Sequence, residues 1–263
     1  MKNKILFRLI YTFMLFNFLF INFACKKENA AEPLPDVSST PKGSLVFHLH
    51  TFLDNNEVDA YNIAYSALDG RKISLSLAQL YITDIQLLKL DGSTYDIAGS
   101  KMLKMLDIDT YLAGKVPVGN YKAIRFKVGL DAITNASPPG ADTSLLNHSE
   151  MWFAANAQPD GYAFVHVKGQ IDTTSNKSGM MSSFEYKIGG PSNYKQVQMP
   201  DKNLTILKDQ IAYAHIIIDY NNLFQGLVLS DVSNLSVLTL ADNSSTTGMR
   251  IANNIPSMFV YEP

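Results

Sequence analysis

The chain of 263 residues is 46% apolar and 17% charged, too apolar for disorder and rich enough to build a sizeable core. Its formal net charge of −2 gives no basic surface for nucleic acid. The single cysteine excludes an intrachain disulfide and leaves that thiol another task.

Lys2, Lys4 and Arg8 precede an apolar run from Ile10 to Ala24, the charge-then-apolar layout of a secretory signal. The run ends at Cys25, and Asn22-Phe23-Ala24-Cys25 resembles a bacterial lipoprotein cleavage site, with a small residue before the cysteine that is acylated. Residues 1–24 are therefore read as a signal peptide. Residues 25–42 carry the lipidated Cys25 and a tether bearing Pro33, Pro35 and Pro41. Acyl chains would hold the protein to a membrane, in the periplasm or on the outer membrane surface, without a transmembrane helix. Residues 43–263 contain no second linker of this composition and are read as one domain.

Within that domain the recurring period is two. Leu45, Phe47 and Leu49 fall on one face of the first strand and Val46, His48 and His50 on the other. A long Leu/Ile/Tyr-rich segment runs from Ile73 to Leu90, and Asp91-Gly92 turns it into Ser93–Ile97. Ile124, Phe126 and Val128 alternate with Arg125 and Lys127 as in a half-buried strand. From Asp131 to Glu150, with Pro138-Pro139-Gly140, the spacing predicts a long loop of the kind that is functional or disordered. This loop leads to Trp152, the only tryptophan, and then through Pro159-Asp160-Gly161 to a strand over Tyr162–Lys168. Further strands are predicted over Phe184–Ile188, Leu204–Leu207 and Ile211–Tyr220, the last placing His215 on a face with Tyr213, Ile217 and Asp219. Asn221–Phe224 and Ile251–Phe259 read as short helical turns covering an open end. The pattern defines an all-β antiparallel β-sandwich with long loops and short helical turns near the C-terminus.

No nucleophile elbow, phosphate loop, zinc-protease helix or dinucleotide fingerprint is present, and no acid–base pair can be named, so an enzyme ranks last. Histidine remains. Imidazoles two residues apart on a strand share a face at roughly two rises of 3.3 Å, so His48 and His50 either converge on a copper or zinc ion with a further histidine or stand solvated on an outer sheet face. His148 and His166 are the other candidate ligands. The first lies in a polar loop, where a solvated side chain is the plainer reading. The second alternates with Phe164 and Lys168, which a surface position also explains. Trp152 is read either as a core anchor or as an aromatic near the metal.

The order of Phe47-His48-Leu49-His50, Leu80–Leu87, Val118-Gly119-Asn120-Tyr121 before Phe126–Asp131, Met151-Trp152 before Gly161-Tyr162-Ala163-Phe164 and Gly169, Phe184–Gly190, His215–Asp219 and Ala252–Phe259 resembles the MbnP-like family. Those proteins are periplasmic or lipid-anchored β-sandwiches and include a methanobactin-associated copper protein. The resemblance spans the domain from about residue 43. It implies a copper site of histidines, with His50 in the place of the family's first-strand histidine. It also implies a tryptophan, matched by the Trp152 segment, that a dihaem peroxidase-like partner enzyme oxidises to kynurenine. Lys187 stands where the family often has histidine. Two readings follow: a lipid-anchored copper-binding protein of copper acquisition or handling, or a non-catalytic surface interaction module using aromatics such as Tyr61, Tyr65 and Tyr194.

Overall fold

The computed structural model describes residues 40–263. The signal peptide, Cys25 and the tether up to residue 39 lie outside the described residues. In chain order the strands are β1 (Lys42–Leu53), β2 (Asn56–Glu57), β3 (Tyr65–Ser66), β4 (Lys72–Lys89), β5 (Thr94–Asp96), β6 (Lys101–Lys104), β7 (Thr110–Pro117) and β8 (Gly119–Val128). Short helices α1 (Ala132–Ala136) and α2 (Thr143–Leu146) follow, then β9 (Ala163–Asp172), β10 (Met181–Gly189), β11 (Lys195–Gln198), β12 (Leu204–Ile206), β13 (Ile211–Asp219) and β14 (Ser236–Val237). The chain closes with α3 (Thr246–Asn254) and β15 (Phe259–Tyr261). Among the described residues no helix is long and apolar enough to cross a membrane.

These strands form two sheets. The five-stranded sheet has the order β15-β13-β1-β2, with β7 also on β1, and the ten-stranded sheet is built on β11-β8-β4-β9-β10-β14. The alternation read from sequence places Leu45, Phe47 and Leu49 of β1 fully inside, where they meet Phe126, Val165, Ile216 and Ile218 in the main core. Phe126 joins the sheets: its ring centroid lies 6.1 Å from that of Phe47 and 5.0 Å from that of Phe259, both edge to face. Pairing is mostly antiparallel, with two exceptions: β1 lies parallel to β13, and β10 to β14. The sheets are therefore mixed, because β13 enters beside β1 only after the chain has built most of the other sheet.

The stretch after Asp131 is ordered by its own capping. Asp131 accepts hydrogen bonds from the backbone of Ile133 and Thr134 at the start of α1, and Asp142 does the same for Leu145 at α2. Leu145, Leu146 and Met151 from this stretch pack on Tyr81, Tyr162 and Phe164 in a second apolar cluster. Successive residues of β4 and β9 thus belong to different cores, Leu80 and Ile82 to the main one and Tyr81 to the second. The predicted loop is a cover for one face of the larger sheet, which explains why Ala163–Val167 is buried at every position.

Gly169 marks the tightest approach within the larger sheet, since a Cβ there would overlap the Ser74 carbonyl oxygen of β4. Gly169→Ala should destabilise the domain by about 1–3 kcal/mol, the usual range for forced overpacking, measured as a lower denaturant midpoint at unchanged slope; an unchanged midpoint would mean that the two strands are not so closely apposed.

Candidate metal centre

His48 and His50 lie on the face of β1 opposite Leu49, as their spacing requires. The parallel register sets His48 beside His215 and His50 beside Ile217, so a third imidazole enters from a strand more than 160 positions away. On the far side of β13, β15 pairs antiparallel with Val260 beside Ile217. One step beyond that strand, the Glu262 backbone N–H donates to the His215 carbonyl at 3.2 Å. The turn after β1 brings back β2, and with it Glu57.

The three rings offer nitrogens that all lie within 4.8 Å of one another. His48 Nδ1 and His215 Nδ1 face each other at 3.1 Å, so one carries the proton and donates to the other. The His48 ring sits 4.3 Å from that of His50 and 4.9 Å from that of His215, centroid to centroid. His50 Nδ1–H donates to Glu57 Oε1 at 2.5 Å. That bond fixes the tautomer and leaves Nε2 as a bare lone pair. His50 Nε2 is buried and has no hydrogen-bond partner. A buried nitrogen lone pair without a donor is unfavourable in the absence of a cation.

The donor set suits an ion. Two nitrogens both bound at about 2.0–2.1 Å stand roughly 3–4 Å apart, and the 3.1 Å pair is already at the near end of that span. Burial, then the neighbouring His50 and His215, push the His48 imidazole below its usual pKa, against weaker opposition from Asp109 and Glu262. His48 therefore stays neutral, as a metal ligand must, further into the acid range.

The other predicted residues lie elsewhere. His166 is buried in β9 and not on the surface: its Nδ1–H donates to the Glu150 carbonyl at 2.6 Å and its Nε2 faces Glu185 Oε1 at 2.9 Å. Both nitrogens are engaged, so it ties the helical cover to the sheet. His148 Nε2–H donates to the Ser144 carbonyl at 3.0 Å within that cover. Trp152 packs against the second cluster, with its indole N–H on the Leu146 carbonyl at 3.1 Å and its own carbonyl accepting from Lys187 Nζ at 2.7 Å. Its contacts are those of an anchor on the larger sheet, whereas the imidazole trio belongs to the smaller one. Tyr61 and Tyr65 pack against the main core, and Tyr194 is held by Thr83 and Asp84 at 2.8 Å each. None of the three is a free aromatic platform.

The sequence places His215 on one face of its strand with Tyr213, Ile217 and Asp219, but nothing local pairs it with His48. Parallel register is a long-range property, so no spacing in the sequence announces it.

Taken together, the chain is a two-sheet β protein with a three-histidine cluster, able to hold a metal ion, on the face of the smaller sheet away from the main core. The MbnP family model matches residues 42–243, and the chain belongs to the MbnP family. Among solved structures it is similar to MbnP from Methylosinus trichosporium, with 16% identity over 72% of this chain and 80% of that one and a TM-score of 0.49. A search of curated proteins finds no match.

A depressed imidazole pKa means that the unfolded chain binds more protons than the folded one below the ordinary value. The stability it confers is present above pH 6.5 and is lost as pH falls through the folded-state value. The melting temperature of the metal-free protein should therefore drop between pH 7 and pH 5.5, and His48→Gln should flatten that drop; identical profiles would remove His48 from the acid response.

Proposed function

We propose that this is a non-catalytic, extracytoplasmic protein that binds copper through His48, His50 and His215 and serves copper acquisition or handling. The observation that carries this reading is the buried, unpartnered His50 Nε2 pointing into a cluster of imidazole nitrogens. Imidazole accepts copper and zinc readily, and copper stands above zinc in general affinity for such sites. Membership of the MbnP family supports copper as the physiological ion. His148 and His166 have no part in this site: both ring nitrogens of His166 are engaged by Glu150 and Glu185, and His148 lies in the helical cover with its Nε2 on the Ser144 carbonyl. The oxidation of Trp152 by a dihaem partner is also left out, since Trp152 is an anchor of the second cluster.

Copper titrated into the purified protein should bind at one equivalent and raise the melting temperature, as any ligand specific to the folded state does. His50→Ala should weaken that binding by at least about 100-fold, exceeding the roughly tenfold to hundredfold loss seen when only a ligand's hydrogen-bond partner is changed. Equal affinity in His50→Ala and parent would place the metal elsewhere.

The same proposal holds the domain at a membrane through acylated Cys25, supported by the charged, apolar and small-residue order that precedes it. Cys25→Ser should abolish lipid labelling and move the protein out of the membrane fraction. Membrane retention of the unlabelled variant would mean that the apolar run itself is the anchor.

A further inference from the structure

The smaller sheet carries a row of side chains across neighbouring strands: Glu262 beyond β15, His215 on β13, His48 on β1 and Thr110 on β7. Glu262 is anchored there by the backbone, because its N–H is bonded to the carbonyl of His215 itself at 3.2 Å. Lys202 reinforces this placement from outside, its Nζ donating to the Glu262 carbonyl at 3.2 Å while lying 4.9 Å from the centre of the Tyr261 ring. Both contacts hold the Glu262 backbone against the sheet, so its side chain starts from a fixed place beside His215.

Its oxygen points at the imidazoles. Glu262 Oε2 is 3.3 Å from His215 Nδ1 and 3.9 Å from His50 Nε2. The second of these contacts is the informative one. Glu57 holds the proton of His50 on Nδ1, so Nε2 presents a lone pair, and a carboxylate oxygen presents only lone pairs. In neutral His50 this lone pair stands toward the carboxylate at 3.9 Å, beyond hydrogen-bond distance, and Nε2 is buried without a partner. A cation between the two atoms would satisfy both, and their separation leaves more room than a shared proton needs.

We propose, on the reading that the three histidines bind the metal, that Glu262 is a fourth and anionic ligand and that the site is consequently built for the divalent ion. Three imidazoles alone suit cuprous and cupric copper alike. A carboxylate oxygen is a hard donor that favours the doubly charged ion, by charge and by ligand type. Glu57 differs in role, since it grips the ring nitrogen remote from the cluster and orients His50.

The test compares parent, Glu262→Gln, Glu262→Asp and His50→Ala proteins, each titrated with cupric ion against a chelator and, under reductant, with cuprous ion against a cuprous chelator. Glu262 is 42% exposed, so Glu262→Gln folds as the parent does, which its melting temperature without metal checks. The expected result is a loss of cupric affinity of roughly tenfold to hundredfold in Glu262→Gln, partial recovery in Glu262→Asp, an altered electron paramagnetic resonance spectrum of the cupric form, and cuprous affinity within about threefold of the parent. Equal cupric affinity and an identical spectrum in Glu262→Gln would overturn the assignment of Glu262 while leaving the three-histidine site standing. An equal loss for both oxidation states would overturn the preference for the divalent ion. Absence of binding by the parent in either state would overturn the metal reading and this inference with it, and a loss in His50→Ala alone would show that the histidines suffice.

Discussion

The parallel pairing of β1 with β13 is the constraint on which the candidate centre depends. It does two things at once. On the inner face it aligns Phe47 and Leu49 with Ile216 and Ile218 in the main core. On the outer face it sets His48 against His215 and brings His50 alongside. Because side chains alternate with a period of two, the two faces cannot be shifted independently. A slip of one residue would bury the imidazoles and expose the core, so apolar burial on one side enforces the geometry of the polar cluster on the other.

The carboxylates give this cluster its polarity. Glu57 arrives through the shortest connection available, the turn after β1, and Glu262 through the last few residues of the chain. Both remain partly solvated, with side-chain exposures of 46% and 42%, so neither bears the desolvation cost of a buried charge. Without an ion one buried nitrogen of the cluster, His50 Nε2, has no partner, although Glu57 holds the other nitrogen of that ring. That bare nitrogen among converging imidazoles is the physical reason for regarding the cluster as a binding site and not as packing.

The larger sheet shows the opposite use of histidine and tryptophan. His166 and Trp152 hold the helical cover over the outer face, through the Glu150 and Leu146 carbonyls. Both ring nitrogens of His166 and the indole N–H of Trp152 have partners there. The contrast between His166 and His50 separates an imidazole engaged at both nitrogens from one whose buried Nε2 has none. It also moves Trp152 from the metal site, where resemblance placed it, to the second core.

The sequence by itself determined the strand periodicity, the shared face of His48 and His50 and the face on which His215 lies, the turns at Asp91-Gly92 and Pro159-Asp160-Gly161, and the family resemblance. Those features are local: each depends on a few consecutive residues and the alternation of the backbone. It also left the stretch after Asp131 as a loop, because helices of four or five residues are too short to show a period, and their caps at Asp131 and Asp142 acquire meaning only against the sheet they cover. Only the tertiary structure decided which histidines meet. His166 was open to any role until β4 and β10 closed around it, and His215 joined His48 solely through a pairing between strands distant in the chain. Register between remote strands is fixed by burial of the whole inner face, a sum over many residues that no short motif records.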